Sequence, residues 1–409
     1  MATDRLVKTL YENLNDLRTK GTDKGPEMVI TGIKSGHDNK GPRYYIKGKD
    51  NQEFLKMNAN SYLGMSLRKD VIEAEEEAAR QFGAGPGAVR FISGTYKAHI
   101  DLEARLAKFH QRESAMIFSS AYVASLGVLV PLITKETVII SDELNHNCII
   151  NAIRLARPVA KAIYKHNDMA DLELQIKESI GKGKRAIVVT DGIFSMRGDN
   201  APLDKLVEIC NRYDSEFEEG ITSVVDDSHG VGAMGKTGRG TEEYAGTKVD
   251  ILIGTLGKAF GINGGYVTGP KVITDYLRET APMYIYSNPI TVSEASAAKK
   301  AIDILDSPEG LKMLKHLREM TKKFESGLKE LGYETIEGEH PVVPLMVRDT
   351  EKTADLVNYL TENGILATGL NYPVVPKGDQ EIRFQISVDH TEYDIDYALG
   401  VLKKYKETH

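Results

Sequence analysis

The chain is predicted to be an α/β protein: a large domain with a mostly parallel sheet wrapped by helices, then a smaller α+β C-terminal domain. Three observations predict it. From about residue 69 to residue 290, helical periodicities alternate with short β-branched runs, and such uniformly apolar runs read as strands buried on both faces. After Pro289 the texture changes to two long helical patterns that lead into a few strands and terminal helices. Glycine, at 37 of 409 residues, is concentrated: positions 230–269 hold 12 of them, where a backbone approaching a ligand closely would need them.

The elements follow in order. An amphipathic stretch, MATDRLVKTLYENLNDL, opens an N-terminal segment (residues 1–57) expected to hold one helix and a small β segment. The large domain is expected over residues 58–290. Its helices are read at Lys69–Phe82, which runs into the cluster Gly83, Gly85, Gly87, at Ile100–His110 and at Pro202–Tyr213. Its strands are read at Ala115–Phe118, Thr137–Ser141, Ala186–Asp191, Thr222–Asp227 and Asp250–Thr255. In such sheets ligand residues gather past the carboxyl ends of the strands. Residues 291–409 form the small domain, with linking helices Val292–Leu305 and Glu309–Leu331. Strands follow at Val342–Val347 and Ile382–Val388, with helices near Glu351–Asn363 and Glu392–Tyr405.

Composition narrows the function classes. Hydrophobic residues at 41% and charged residues at 27% describe an ordinary globular protein,. The 52 basic and 59 acidic residues leave a net charge of −7, against the clustered cationic excess of nucleic-acid binders. Cys148 and Cys210 belong to no CxxC pair or metal-ligand spacing. Both are read as buried structural thiols of a reducing compartment. With no apolar signal core and no run long enough to span a bilayer, the protein is expected in the cytoplasm.

Two glycine motifs mimic nucleotide sites. Gly230 to Thr237, GVGAMGKT, matches GxxxxGK[ST] with Lys236 as its lysine. A phosphate loop needs a helix starting at that Lys-Thr, yet Gly238 and Gly240 stand where it would begin. A P-loop nucleotide-binding protein is therefore the remote alternative. The cluster at Gly83–Gly87 follows a helix and lacks GxGxxG spacing,.

A more telling pattern is DILIGTLGKAFGINGGY, in which Lys258 follows a buried strand inside a glycine loop. A lysine withdrawn from water there is costly unless its amine is used, and a Schiff base to an aldehyde uses it. Upstream, a strand ends in Asp226-Asp227-Ser228-His229. A carboxylate at that end suits the pyridinium nitrogen of pyridoxal phosphate (PLP).

Here the sequence resembles the α-oxoamine synthase family of PLP-dependent acyltransferases, of fold-type I. The resemblance rests on DDSHGVGAMGKTGRG and the Lys258 segment, with NANSYLG, GAVRFISGTYKAHIDLE, FSSAY, DELNHNCII, TDGIFSMRGD and IRFQISVDHT in the family's order. It implies that Lys258 forms the Schiff base, Asp226 partners the pyridinium, His229 touches the ring's phenolic oxygen, and His146 stacks on the ring face. Ser195 lies near the cofactor, the amides of Ala121 and Tyr122 hold its phosphate, and Thr255 adds a hydroxyl. Ser287 and Asn288 reach the neighbouring subunit's phosphate, which implies a homodimer with shared sites. Arg383 clamps the amino-acid carboxylate. The implied activity is Claisen-type condensation of an amino acid with an acyl-CoA.

Segments GTLGKA, RFISGT, TDGIFSM and SNP most resemble the glycine C-acetyltransferase branch, which implies glycine and acetyl-CoA. Ser61 in NANSYLG departs from that branch's asparagine at a position expected to bind substrate. Tyr96, Lys97 and the stretch Tyr122–Ser125 depart as well, and Ser215–Ser223 reads as a small insertion. The branches with other acyl groups or amino acids are those of 8-amino-7-oxononanoate synthase, 5-aminolevulinate synthase and serine palmitoyltransferase.

Overall fold

The computed structural model describes residues 3–20, 22–49 and 51–409. Helix Asp4–Thr19 opens the chain and buries none of its side chains. Strands β1 (Ile30–Lys34) and β2 (Arg43–Ile46) pair as an antiparallel ribbon, and a short β3 (Leu55–Lys56) follows.

The central sheet has seven strands: β4 (Ser114–Phe118), β5 (Thr137–Asp142), β6 (Ala160–Tyr164), β7 (Arg185–Asp191), β8 (Ile221–Asp226), β9 (Ile251–Thr255) and β10 (Gly265–Gly269). Their order is β4-β10-β9-β8-β7-β5-β6. β6, β5, β7, β8 and β9 run parallel, while β10 is antiparallel to both β9 and β4. The five strands read from sequence are all present, within a residue or so at each end. Asp227 leaves its predicted strand because its carboxylate accepts the Thr241 amide at 2.8 Å and turns the chain. The stretch read as a small insertion, Ser215–Ser223, begins in a short 3-10 turn, Asp214–Glu216, and runs through residues 217–220 into β8.

Two strands of the central sheet escaped the periodicity reading. β6 is an edge strand whose residues alternate in exposure, so it lacks a buried strand's continuous apolar run. β10, Gly-Tyr-Val-Thr-Gly, was hidden in the glycine-rich segment. Its glycines have a packing reason: a Cβ on Gly265 would lie 2.4 Å from the backbone N and Cα of Ala121. The start of helix Ala121–Leu132 therefore sits directly on β10.

Helix Lys69–Phe82 lies where its pattern placed it, as does Val292–Leu305, whose Ala295, Ala297, Ala298 and Ala301 are fully buried. Helix Pro308–Glu330 leads to a four-stranded antiparallel sheet. It comprises β11 (Glu334–Thr335), β12 (Val342–Met346), β14 (Thr368–Leu370) and β15 (Glu381–Gln385), in the order β11-β12-β15-β14. Between them β13 (Ile365–Leu366) pairs in parallel with β3 and so ties the two ends of the chain together.

The P-loop alternative fails on this geometry. No helix begins at Lys236-Thr237; Gly235, Gly238 and Gly240 all have positive φ, and the next helix starts at Thr241. The Thr237 amide and hydroxyl, which a phosphate would require, are taken by the Glu243 carboxylate at 3.0 and 2.7 Å. The segment is a structural turn. The Gly83–Gly87 cluster likewise follows a helix, not a strand.

Replacing Gly265 by alanine is expected to push the first turn of helix Ala121–Leu132 off β10. A loss of about 1–3 kcal/mol, the usual cost of overpacking, should appear in urea denaturation. Cofactor affinity should fall with it.

Candidate active site

β7 and β8 are paired in register so that Asp191 and Asp226, at their carboxyl ends, are direct neighbours. Beside them lies a cavity of about 200 Å³. Of the predicted residues it brings together Lys258, Asp226, His229 and His146, with Ser195 on one wall and Ala121 and Tyr122 at the helix start.

Asp226 is the best-held group in it. Its Oδ2 accepts from the Ser125 hydroxyl at 2.9 Å and the Cys148 thiol at 3.6 Å, and its Oδ1 accepts the Ser228 amide at 3.1 Å. Ser125 comes from the second turn of helix Ala121–Leu132 and Cys148 from the first turn of helix Asn147–Ala156. Cys148 is thus a buried thiol, as read from sequence, but one that takes part in the site. Burial and the nearby Asp226 push the Asp191 carboxyl well up,.

Lys258 sits in the loop after β9. Burial pushes its amine down to about 8, and the Asp226 carboxylate opposes that shift. Burial, with Lys258 next in weight, drives His229 well below its usual range, so it is neutral. Its Nδ1 lies 2.8 Å from the Tyr62 hydroxyl, and its carbonyl is 2.9 Å from His340 Nε2. His146 is also pushed down by burial. Its Nδ1 lies 3.0 Å from Cys148 Sγ, and its amide donates to Asp191 at 2.9 Å.

The start of helix Ala121–Leu132 is capped by Ser120, which accepts the Val123 amide. The amides of Ala121 and Tyr122 precede the first intrahelical acceptors and are free to meet an anion. The Thr255 hydroxyl is engaged inside its own loop, accepting from the Gly257 amide at 3.1 Å and reaching the Gly264 carbonyl at 3.3 Å. Arg383 projects from β15 and donates to the Ser195 carbonyl at 3.0 Å, while its Nε is buried without a partner.

Three predicted residues lie apart. Ser287 and Asn288 follow helix Pro282–Ile285 beside the 80% exposed Tyr286 and do not line the Lys258 cavity of their own chain. Ser61 lines a separate cavity with Ser387, Asp389 and His390, and its buried hydroxyl has no partner. Its neighbour Asn60 instead hydrogen-bonds Gln385.

Sequence reasoning missed Asp191, Ser125, Tyr62 and His340. Asp191 alone had a legible signal, since it ends a predicted strand as Asp226 does. The others come together only through the fold.

These residues fit a flat, phosphorylated aldehyde. An amine, a held carboxylate acceptor and free helix-start amides border one cavity, and the Ser228 hydroxyl in its wall is buried without a partner. Fold and site together define a lysine-anchored, cofactor-dependent transferase.

Comparison with known proteins narrows this. The chain belongs to the aminotransferase class I and II family, whose model matches residues 52–402, and within it to the α-oxoamine synthases that its motifs resemble. It is 40% identical over 411 residues to the human mitochondrial 2-amino-3-ketobutyrate coenzyme A ligase, covering 100% of this chain and 94% of the relative. It is 39% identical over 357 residues to the 8-amino-7-oxononanoate synthase of Thermosipho melanesiensis, covering 87% and 89%. Among solved structures, a serine palmitoyltransferase with a PLP internal aldimine superposes with a TM-score of 0.88 at 26% identity, over 99% of this chain and 98% of that one.

The low amine pKa sets a test on the apoprotein. Acylation of Lys258 by a water-soluble amine reagent, read by peptide mass, should be half-maximal near pH 8. Asp226→Asn removes the anion that favours the ammonium form and should move that midpoint lower. An unchanged midpoint would separate the two groups electrostatically.

Proposed function

We propose that the protein uses PLP to condense glycine with a short acyl-CoA, acetyl-CoA foremost, giving 2-amino-3-ketobutyrate and CoA reversibly. The observation that carries the reading is the pairing of Lys258 and Asp226 across one cavity, with Arg383 reaching its Ser195 wall. When bound, PLP supplies an electron sink that acidifies the Cα–H of the amino acid.

The chain's own residues do the rest. Asp226 is held as an acceptor by three donors and would keep the cofactor's ring nitrogen protonated. His146 would cover one face of the ring, and neutral His229 would offer it a hydrogen bond without adding charge. The amides of Ala121 and Tyr122 would receive the phosphate. Arg383, with an unpartnered Nε, takes the glycine carboxylate in the forked geometry that guanidinium favours. Lys258, with an amine near 8, is neutral in a useful fraction at physiological pH and takes the Cα proton through Nζ. A C–C bond then forms between that Cα and the thioester carbonyl, the C–S bond breaks, and CoA leaves as the thiol.

The second reading, a longer acyl group as in 8-amino-7-oxononanoate synthases, is supported by relatives of nearly equal identity. We further propose a homodimer with shared sites. Helix Asp4–Thr19 carries Leu6, Val7, Leu10, Leu14 and Leu17, each at least 42% exposed, an apolar face that a second copy would cover. The same assembly would bring Ser287 and Asn288 to the partner's phosphate site.

CoA release measured across acyl-CoAs with glycine, serine and alanine tests the reaction; preference for pimeloyl- or palmitoyl-CoA over acetyl-CoA would overturn the acetyl assignment. Lys258→Ala should cut kcat by about 10²–10⁴-fold, the range for a lost general base. Arg383→Ala should raise the glycine KM about 10- to 100-fold, as expected for lost charge-assisted bonds. Light scattering should give about twice the chain mass of 45.2 kDa, and Leu10→Glu with Leu14→Glu should lower it.

A further inference from the structure

Arg383 stands on a different sheet from the groups it has to work with. It lies on β15 of the C-terminal sheet, whereas Asp226, His229 and Lys258 end or follow strands of the central sheet. Its position over the cavity therefore depends on what fixes one sheet against the other. β12 is the strand beside it, with Pro344 directly across from Arg383. A Cβ on Gly198 would lie 2.7 Å from the Val342 carbonyl, so the start of β12 presses on the turn that carries Ser195.

Two residues before β12 stands His340, which is 2% exposed. Its Nδ1 is 3.1 Å from the Val342 amide and its Nε2 is 2.9 Å from the His229 carbonyl. An amide only donates and a carbonyl only accepts, so Nδ1 accepts and Nε2 carries the proton. Burial drives the imidazole down to about 4, against the pull of the His229 carbonyl. The ring is thus neutral at physiological pH and fills both roles. It also packs edge-on against Tyr62, with centroids 5.2 Å apart.

One side chain thereby joins the start of β12 to the turn after β8. Ties further along β15 and beyond it go elsewhere: the Gln385 and Val388 amides donate to the Met57 and Tyr62 carbonyls, each at 2.9 Å. Arg383 itself donates to the Ser195 carbonyl, but that bond comes from the group that has to meet a ligand. Because β12 and β15 are paired from Val342 to Met346, a shift of one carries the other with it.

We propose that His340 is a positioning residue for amino-acid binding: it pins β12 to the turn after β8 and so sets where Arg383 meets the Lys258 cavity. The proposal rests on the reading of Arg383 as the carboxylate-binding residue.

The test follows glycine binding to the holoenzyme by the change in PLP absorbance, with no acyl-CoA present. Two variants remove the bond by different routes, and either one that folds serves. His340→Asn keeps an acceptor for the Val342 amide but is too short to reach His229; His340→Phe keeps the ring volume against Tyr62. Each should weaken glycine binding about five- to tenfold, part of the cost of losing a charge-assisted contact. PLP affinity, which rests on other groups, should change less than about twofold. His340→Gln, whose amide N–H extends toward the place of Nε2, should bind glycine within about threefold of the wild type. In an Arg383→Ala background the Asn and Phe variants should add less than about twofold, because residues that act as a unit are not additive.

Unchanged glycine binding in a folded His340→Asn or His340→Phe overturns the proposal. So do losses that multiply with that of Arg383→Ala, or a His340→Gln as impaired as the others. Equal losses of PLP and glycine affinity mark a general loosening and overturn it too. Glycine binding unchanged by Arg383→Ala alone overturns the carboxylate assignment, and this proposal with it.

Discussion

The site depends on one constraint: Asp226 must be held as an acceptor in a buried place beside a second carboxyl group. Left alone, two neighbouring buried acids would share a proton. Here the asymmetry is built from donors. Asp226 receives bonds from Ser125, Cys148 and the Ser228 amide, whereas Asp191 receives the His146 amide at one oxygen and is driven up by burial. Asp226 is therefore the better-held member, and the fixed partner against which Lys258 is set.

That arrangement explains much of the architecture around it. The Asp191–Asp226 register requires β7 and β8 to be adjacent and parallel. The Ser125 and Cys148 donors require two helices to begin over the strand ends. One of those beginnings also offers free amides to an anion, and it sits this close because Gly265 has no Cβ to collide with Ala121. The glycine excess that stands out in the composition is partly the means by which helix, loop and strand approach one another. Lys258, the residue proposed to carry the chemistry, has its amine lowered by the same burial that stabilises the sheet.

Much of this was legible in the sequence because the informative residues are local. The β-branched runs of β5, β7, β8 and β9 announce buried parallel strands, and Asp226 and Lys258 stand at or just past strand ends, where such folds place ligand groups. What was not legible is relational. The contacts of Ser125 and Cys148 with one oxygen span 101 and 78 residues of chain, and a lone serine or cysteine in a helix reads as core. β10 was obscured because glycines that permit close packing look the same in sequence as glycines that make turns. The GxxxxGK[ST] match failed for that reason too: its glycines adopt positive φ and fold the segment onto Glu243. Ser61 shows the opposite limit, since a motif places it near the chemistry while the fold directs its side chain into a neighbouring cavity.

The proposed reaction bears on how such a site selects among thioesters. Every transferable acyl group presents the same carbonyl to Lys258 and its partners, so discrimination must come from what lies beyond the reacting atoms. A wholly apolar pocket separates chains by size, at about 1–3 kcal/mol per methylene, and poorly by the chemistry of their tips. The two relatives of nearly equal identity are thus not separated by the catalytic residues.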